Sequence, residues 1–127
     1  MQIKSAKDLI VYQKAYALAM EIFAISKGFS AEEKYSLIDQ TRRSSRSVCT
    51  NLREAWAKRR YEAHFVSKLT DEDGENGETE TWLDFAHDCS YLSKGDHAVF
   101  TEKCHEVGAM LGSMINGPSS FILRSNV

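Results

Sequence analysis

Bulky apolar side chains recur at intervals of three and four along almost the whole chain, and the single proline, Pro118, lies close to the end. At about 100° per residue, that spacing gathers apolar groups into a stripe along one face of a helix. Nothing before Pro118 forbids helix, while Ala, Glu, Lys, Leu and Arg favour it and the β-branched runs that mark strands are missing. The class is therefore all-α. At 127 residues the chain has the length of one domain. Hydrophobic residues at 43% and charged residues at 27% separate it from disordered sequences.

The spacing predicts four helices, over 9–27, 31–57, 61–93 and 96–116, followed by a short tail, 117–127. Tyr12, Ala15, Tyr16, Ala19, Met20 and Phe23 form the first stripe. Gly28 ends that helix, and Ser30-Ala31-Glu32-Glu33 has the spacing of a capping box for the second. The second stripe runs through Ile38, Thr41, Ser45, Val48, Leu52 and Trp56. A turn near Ala57 to Tyr61 leads to the third helix, whose stripe is Trp82, Phe85, Cys89 and Leu92. Ser93-Lys94-Gly95-Asp96 supplies a stop and a new N-cap. Phe100, Cys104, Val107, Leu111 and Met114 line the fourth. Four helices joined by short loops pack as antiparallel neighbours, so the expected fold is an up-down-up-down four-helix bundle. The Phe121-Ile122-Leu123 patch of the tail is expected to fray.

Net charge is −2, with no general cationic field for nucleic acid. Nucleic-acid contact would have to be local. No stretch approaches the roughly 18 apolar residues of a membrane span, and Met1 to Lys7 holds no apolar leader core. Cys49, Cys89 and Cys104 are scattered, without Cys-x-x-Cys spacing, and one thiol is left over. This pattern points to a reducing, cytoplasmic setting without membrane contact.

Enzyme readings find little support. Asp84-x-x-His87 and Glu102-x-x-His105 echo the Glu-x-x-His pairs of di-metal bundles. Their phase, however, turns all four side chains, and Glu21, away from the core stripes, so they cannot share bridged metals. No G-x-S-x-G elbow or phosphate loop occurs, and thiols on apolar stripes are inert. Neither catalytic nor metal-binding residues nor a cofactor are expected. The aromatic residues fall mostly on core stripes, against a stacking platform for single strands.

Two polar constellations remain. Gln40, Arg43, Ser47, Asn51 and Glu54 form an outward ridge on the second helix, read as a contact surface for a neighbouring subunit or an RNA backbone rather than a plain solvated face. Arg42, Arg43, Arg46, Arg53, Lys58, Arg59 and Arg60 are seven bases between positions 42 and 60, against the single acid Glu54. The acids of the third helix offer partners, with Asp71, Glu75 and Glu78 read as inward. A reversal near residue 60 brings Arg46 level with Glu75 and Arg42 with Glu78, so these four are expected to form structural ion pairs. Arg43, Lys58, Arg59 and Arg60 are left as the freer bases. Gly74 and Gly77, costly inside a helix, are expected to permit close helix approach or a local distortion.

The chain resembles the 23S rRNA intervening-sequence protein family, also called the S23 or four-helix-bundle family, over nearly its whole length. The resemblance is carried by Asp8-Leu9-x-Val11-Tyr12-Gln13-Lys14-Ala15, by Phe29, Glu33 and Tyr35, and most specifically by Gln40-x-Arg42-Arg43-x-x-x-Ser47-Val48-x-x-Asn51-Leu52-x-Glu54. Phe65, Gly74, Glu78, Trp82-Leu83 and Tyr91-Leu92 continue it. Phe29-Ser30 departs from the family's Phe-Pro, and Glu54-Ala55 from its Glu-Gly. The resemblance implies an antiparallel four-helix bundle that assembles as a ring, commonly a homopentamer. It also implies a gene placed within rRNA intervening sequences or standing alone, and kinship with a branch that is accessory to retroelement reverse transcriptases. With the basic patches, the expected partners are further copies of the chain and rRNA, other nucleic acid or a nucleic-acid enzyme. The expected function is thus a non-catalytic self-assembling bundle associating with RNA or nucleoprotein. A purely protein-binding scaffold is the alternative.

Overall fold

The computed structural model describes residues 3–123 and contains four long helices. They are α1 (Ile10–Ser26), α2 (Leu37–Ala57), α3 (Glu62–Asp88) and α4 (Lys94–Asn116), with single 3-10 turns at Ala6–Asp8, Ala31–Glu33 and Pro118–Ser120. No strand occurs among the described residues. Each helix packs against its neighbour in sequence, and α4 closes the circuit onto α1, which is the expected antiparallel bundle. Residues 124–127 of the expected tail lie outside the described residues.

Helix boundaries follow local chemistry. The α2–α3 turn falls at 58–61, as expected. The start of α2 does not follow the capping-box expectation: Ser30 makes no side-chain cap, and the helix begins at Leu37. The Ser36 hydroxyl donates to Glu33 instead (2.6 Å), and the intervening turns bury Phe29 and Leu37. Similarly, α3 ends at Asp88 rather than near 93. Tyr91 N–H donates to Ala86 O (2.9 Å) and Ser90 N–H to His87 O (2.9 Å), a Schellman motif with Ser90 at the left-handed position (φ 66°). The Ser93 hydroxyl then accepts from Asp96 N–H (3.0 Å) and caps α4.

The core is two apolar clusters stacked along the bundle. One contains Val11, Val48, Leu52, Phe65, Leu69, Val107 and Leu111, and the other Leu18, Ile22, Phe29, Leu37, Leu83, Phe100 and Cys104. The α4 stripe is buried as expected, and Thr41, Ser45, Val48 and Leu52 are buried on α2. On α1 the inward face is Val11, Ala15, Leu18, Ala19, Ile22 and Ser26, while Tyr16 and Met20 stand 53% and 51% exposed. The expected stripe was therefore rotated, because α1 is apolar on two adjacent faces. On α3 the inward residues are Phe65, Leu69, Glu72, Asn76, Thr79, Leu83 and Ala86. Trp82 lies at the edge, and Phe85 and Cys89 are exposed. Glu72 replaces Asp71 as the inward acid; Asp71 is exposed.

The tail does not fray over its described part. Phe121 packs on Phe65 with ring centroids 6.1 Å apart, and Leu123 N–H donates to Arg59 O (3.0 Å). Gly74 and Gly77 do not mediate helix approach inside the protomer, since nothing lies within 4 Å of a Cβ built at either. The close approach is at Gly108, where a Cβ would stand 3.3 Å from Asn76 Nδ2.

Between the clusters α3 buries polar groups. Asn76 Nδ2 donates to Cys104 O (2.9 Å) and Thr79 Oγ1 to Ser44 Oγ (2.8 Å). Both carboxyl oxygens of Glu72 are buried without a hydrogen-bond partner in the protein. Desolvation, with a smaller push from Asp73, raises its carboxyl from 4.5 to about 9, so it is neutral in the fold at pH 7. A raised carboxyl supports the fold fully below its unfolded value of 4.5 and loses that support as pH climbs to about 9. Denaturant titrations across pH 5–9 should show falling stability. Glu72→Gln should flatten that slope and gain on the order of 2 kcal/mol at pH 8. Ser90→Gly should raise stability by about 0.5–1 kcal/mol by relieving the left-handed conformation.

Candidate functional site

The α2 ridge faces outward along its length, yet much of it is already engaged within the protomer. Arg43 is the centre of its upper half. Its Nε donates to Gln40 Oε1 (2.9 Å), one guanidinium nitrogen reaches Glu75 (3.1 Å), and the other bonds Glu78. Glu78 also accepts from Trp82 Nε1 (3.2 Å). The Glu78 bond and the Glu75 charge raise Arg43 above its ordinary value, and Arg43 holds Glu78 below the usual carboxylate range. Lower down, Glu54 pairs with Lys68 (2.9 Å), which lowers the acid and raises the lysine. Ser47 and Asn51 are half-buried between these two clamps.

The expected ion pairs are thus one residue off. Arg43, not Arg42 or Arg46, takes Glu75 and Glu78. Adjacent helical residues diverge by about 100°, so Arg42 points to α1 while Arg43 points to α3. Arg42 Nε donates to Ser26 Oγ (2.8 Å), and its guanidinium lies 4.7 Å from the Phe23 ring centre. Arg46 approaches the same ring (5.6 Å), and Arg53 covers Tyr12 (5.6 Å). These three arginines form a cationic edge resting on the aromatic side of α1.

At the 58–61 turn, Arg59 lies 3.6 Å over the Trp56 ring and donates to Trp56 O (2.7 Å). Burial lowers its guanidinium from the ordinary value. It is a structural clip rather than a free base. Lys58 and Arg60 are exposed, and among the described residues neither forms a salt bridge. Of the eight contact residues expected, these two carry unengaged charge.

Periodicity missed the exposed aromatic residues. Tyr16 and Tyr35 are 53% and 85% exposed. A signal for the first was available: among Ile10–Ser26 only Gln13, Lys14, Glu21 and Ser26 break the apolar and aromatic run, a wider arc than one core contact needs. Tyr12, Tyr16 and Met20 of α1 and Arg46, Thr50 and Arg53 of α2 line an open cavity of about 550 Å³.

Of the residues weighed as metal ligands, Asp84, His105 and Glu21 are taken up by different neighbours. His97 contacts Asp84 (2.7 Å), His105 contacts Glu80 (2.8 Å), and Lys103 bonds Glu21. No group of three or more His, Cys, Asp and Glu among the described residues is arranged to hold a metal ion. Cys49 and Cys104 are buried, and desolvation pushes their thiols up to about 11 and about 12. Cys89 is exposed, contrary to its expected place on an apolar stripe. No described helix is long and apolar enough to cross a membrane.

The fold defines an all-α antiparallel four-helix-bundle protein. Residues 7–113 match the 23S rRNA-intervening sequence protein model, so the chain belongs to that family. A crystal structure at 1.70 Å resolution, of a protein with unknown function from the S23 ribosomal protein family of Bacteroides thetaiotaomicron, superposes with a TM-score of 0.76. It is 28% identical, and the alignment covers 84% of this chain and 96% of that one. Comparison with curated proteins gave no match.

Two measurements check this geometry. A thiol reagent added to the native protein should modify one cysteine per chain, Cys89, quickly, and Cys49 and Cys104 only on unfolding. Arg43→Ala should lower stability by about 1 kcal/mol, because it opens a network spanning α2 and α3. Arg60→Ala should change stability by less than about 0.5 kcal/mol.

Proposed function

We propose that the chain is a non-catalytic bundle that assembles with copies of itself, as a homopentamer in keeping with its family, and associates with RNA or a nucleoprotein through the end of the bundle at the 58–61 turn. One observation carries the reading. Of the seven bases between positions 42 and 60, Arg43 is the one paired with carboxylates among the described residues, and Lys58 and Arg60 project at the turn. A negatively charged whole whose 58–61 end carries two exposed bases outside any salt bridge among the described residues meets phosphates locally, and repeating that end in an assembly multiplies a weak contact into avidity.

A protein-binding scaffold without nucleic-acid contact is the second reading, favoured by the aromatic cavity between α1 and α2. Fluorescence anisotropy with a structured rRNA fragment across a salt series separates the two. Binding should weaken steeply with salt, and Lys58→Glu with Arg60→Glu should flatten the slope by about 0.7–0.9 for each phosphate that is no longer neutralised. An assembled protein that shows no salt-dependent binding would sink the RNA reading and leave the scaffold.

A further inference from the structure

The cavity on the α1/α2 face has the chemistry of a protein interface rather than of a phosphate track. Tyr16 and Met20 stand half-exposed at its centre, Tyr12 stacks on Tyr16 at 6.1 Å, and the floor is otherwise apolar. Tyrosine, methionine and arginine are the residues enriched where protein surfaces bury each other. Its cationic rim is Arg46 and Arg53, neither of which pairs with a carboxylate among the described residues, while the neighbouring acid, Glu54, is held by Lys68. An occupant should therefore be a narrow protein surface bearing acids.

The chain itself carries such a surface. Between residues 62 and 88 there are nine acids and one base; Glu72 is buried and Glu75, Glu78, Glu80 and Asp84 are engaged inside the protomer, which leaves Glu62, Asp71, Asp73 and Asp88 exposed. Arg53 lies over Tyr12, Glu54 bonds Lys68 and Arg43 bonds Glu75, which sets the middle of the cavity, near Tyr16 and Thr50, level with Asp71 to Gly74 on α3. Asp71, Asp73 and Gly74 are all exposed there, the two acids flanking the glycine on opposite sides, Asp71 at 3.9 Å from Lys68 and Asp73 beside Gly108 of α4. Gly74 and Gly77 each cost about 1 kcal/mol in a helix interior, and no contact inside the protomer uses the space they leave.

We infer that the α1/α2 cavity receives the α3 face of a second copy around Gly74, with Asp71 and Asp73 of that copy toward Arg46 and Arg53. The contact is head-to-tail: each copy offers one cavity and one acidic face. The inference deepens the self-assembly reading and rests on it.

The test uses Met20→Asp, which spoils the cavity and leaves the α3 face intact, and Gly74→Trp, which does the reverse. Tyr16→Glu serves as a second cavity variant, and circular dichroism melts confirm that each folds. By light scattering the unaltered protein should form assemblies, each variant alone should have the mass of one chain, and an equimolar Met20→Asp and Gly74→Trp mixture should have twice that mass. A variant set that keeps the assembled mass overturns the inference while leaving self-assembly standing. Variants that separate but do not pair on mixing overturn the head-to-tail contact. Cavity variants that stay assembled but lose RNA binding assign the cavity to nucleic acid and overturn it as well. An unaltered protein with the mass of one chain defeats the self-assembly reading itself.

Discussion

The relative height of α2, α3 and α4 depends on how α3 satisfies the polar groups it buries. An unpaired buried amide costs about 1–3 kcal/mol, so Asn76 has to stand opposite Cys104 O, and Thr79 opposite Ser44. Gly108 lets α4 approach Asn76 closely enough for that bond. A one-turn slide of α3 would strand Asn76 in an apolar core, whereas Thr79 would keep Glu75 O (2.9 Å) of its own helix as acceptor. Glu72, held neutral in the same layer, favours that register by no bond of its own. It persists because the protonated carboxyl is tolerable where the carboxylate would not be.

That register then decides the fate of the surface charges. Bases lie on α2 and acids on α3, and the two helices form the most extensive contact in the bundle, so part of the opposition is neutralised inside the protomer through Arg43 with Glu75 and Glu78, while Glu54 with Lys68 pairs the minority charge of each helix. Across the α3–α4 seam His97 contacts Asp84 and His105 contacts Glu80. What is left over is segregated. Arginines remain on the α1 side of α2, Lys58 and Arg60 at the turn, and Asp73 on α3, while Asp71 stands exposed at 3.9 Å from Lys68.

Helix number, order and connections were legible in the spacing of apolar residues, and the α4 face could be read residue by residue, because Phe100, Cys104, Val107, Leu111 and Met114 keep one unbroken stripe with Val99, Met110 and Ile115 beside it. The faces of α1 and α3 could not be read that way, for opposite reasons. On α1 the apolar arc spans two faces, and periodicity cannot say which of Leu18 and Tyr16 turns inward. On α3 large apolar residues are sparse between Leu69 and Trp82, and the burial of Glu72, Asn76 and Thr79 is a tertiary outcome that no local pattern reports. The 100° between Arg42 and Arg43 was enough to exchange a structural role for a presumed free charge. Much of the ridge that the family motif singles out proved to be a clamp between α2 and α3. A specific sequence signature can therefore mark what holds a register as readily as what meets a partner.

The two candidate surfaces lie at different places along the bundle, and that separation matters for how they could act together. The cavity and the Asp71–Gly74 face are near mid-height, whereas Lys58 and Arg60 lie at the end where α2 turns into α3. Copies joined cavity to α3 face, and related by rotation about an axis along the bundle, would all point the same way. Their 58–61 turns would then form one rim. Two free charges on one chain make a contact that physiological salt readily screens, but the same two repeated around a rim act at a high effective concentration on one RNA. Assembly through the aromatic cavity would thus leave the cationic turn uncovered and would supply the multiplicity that so small a basic patch requires.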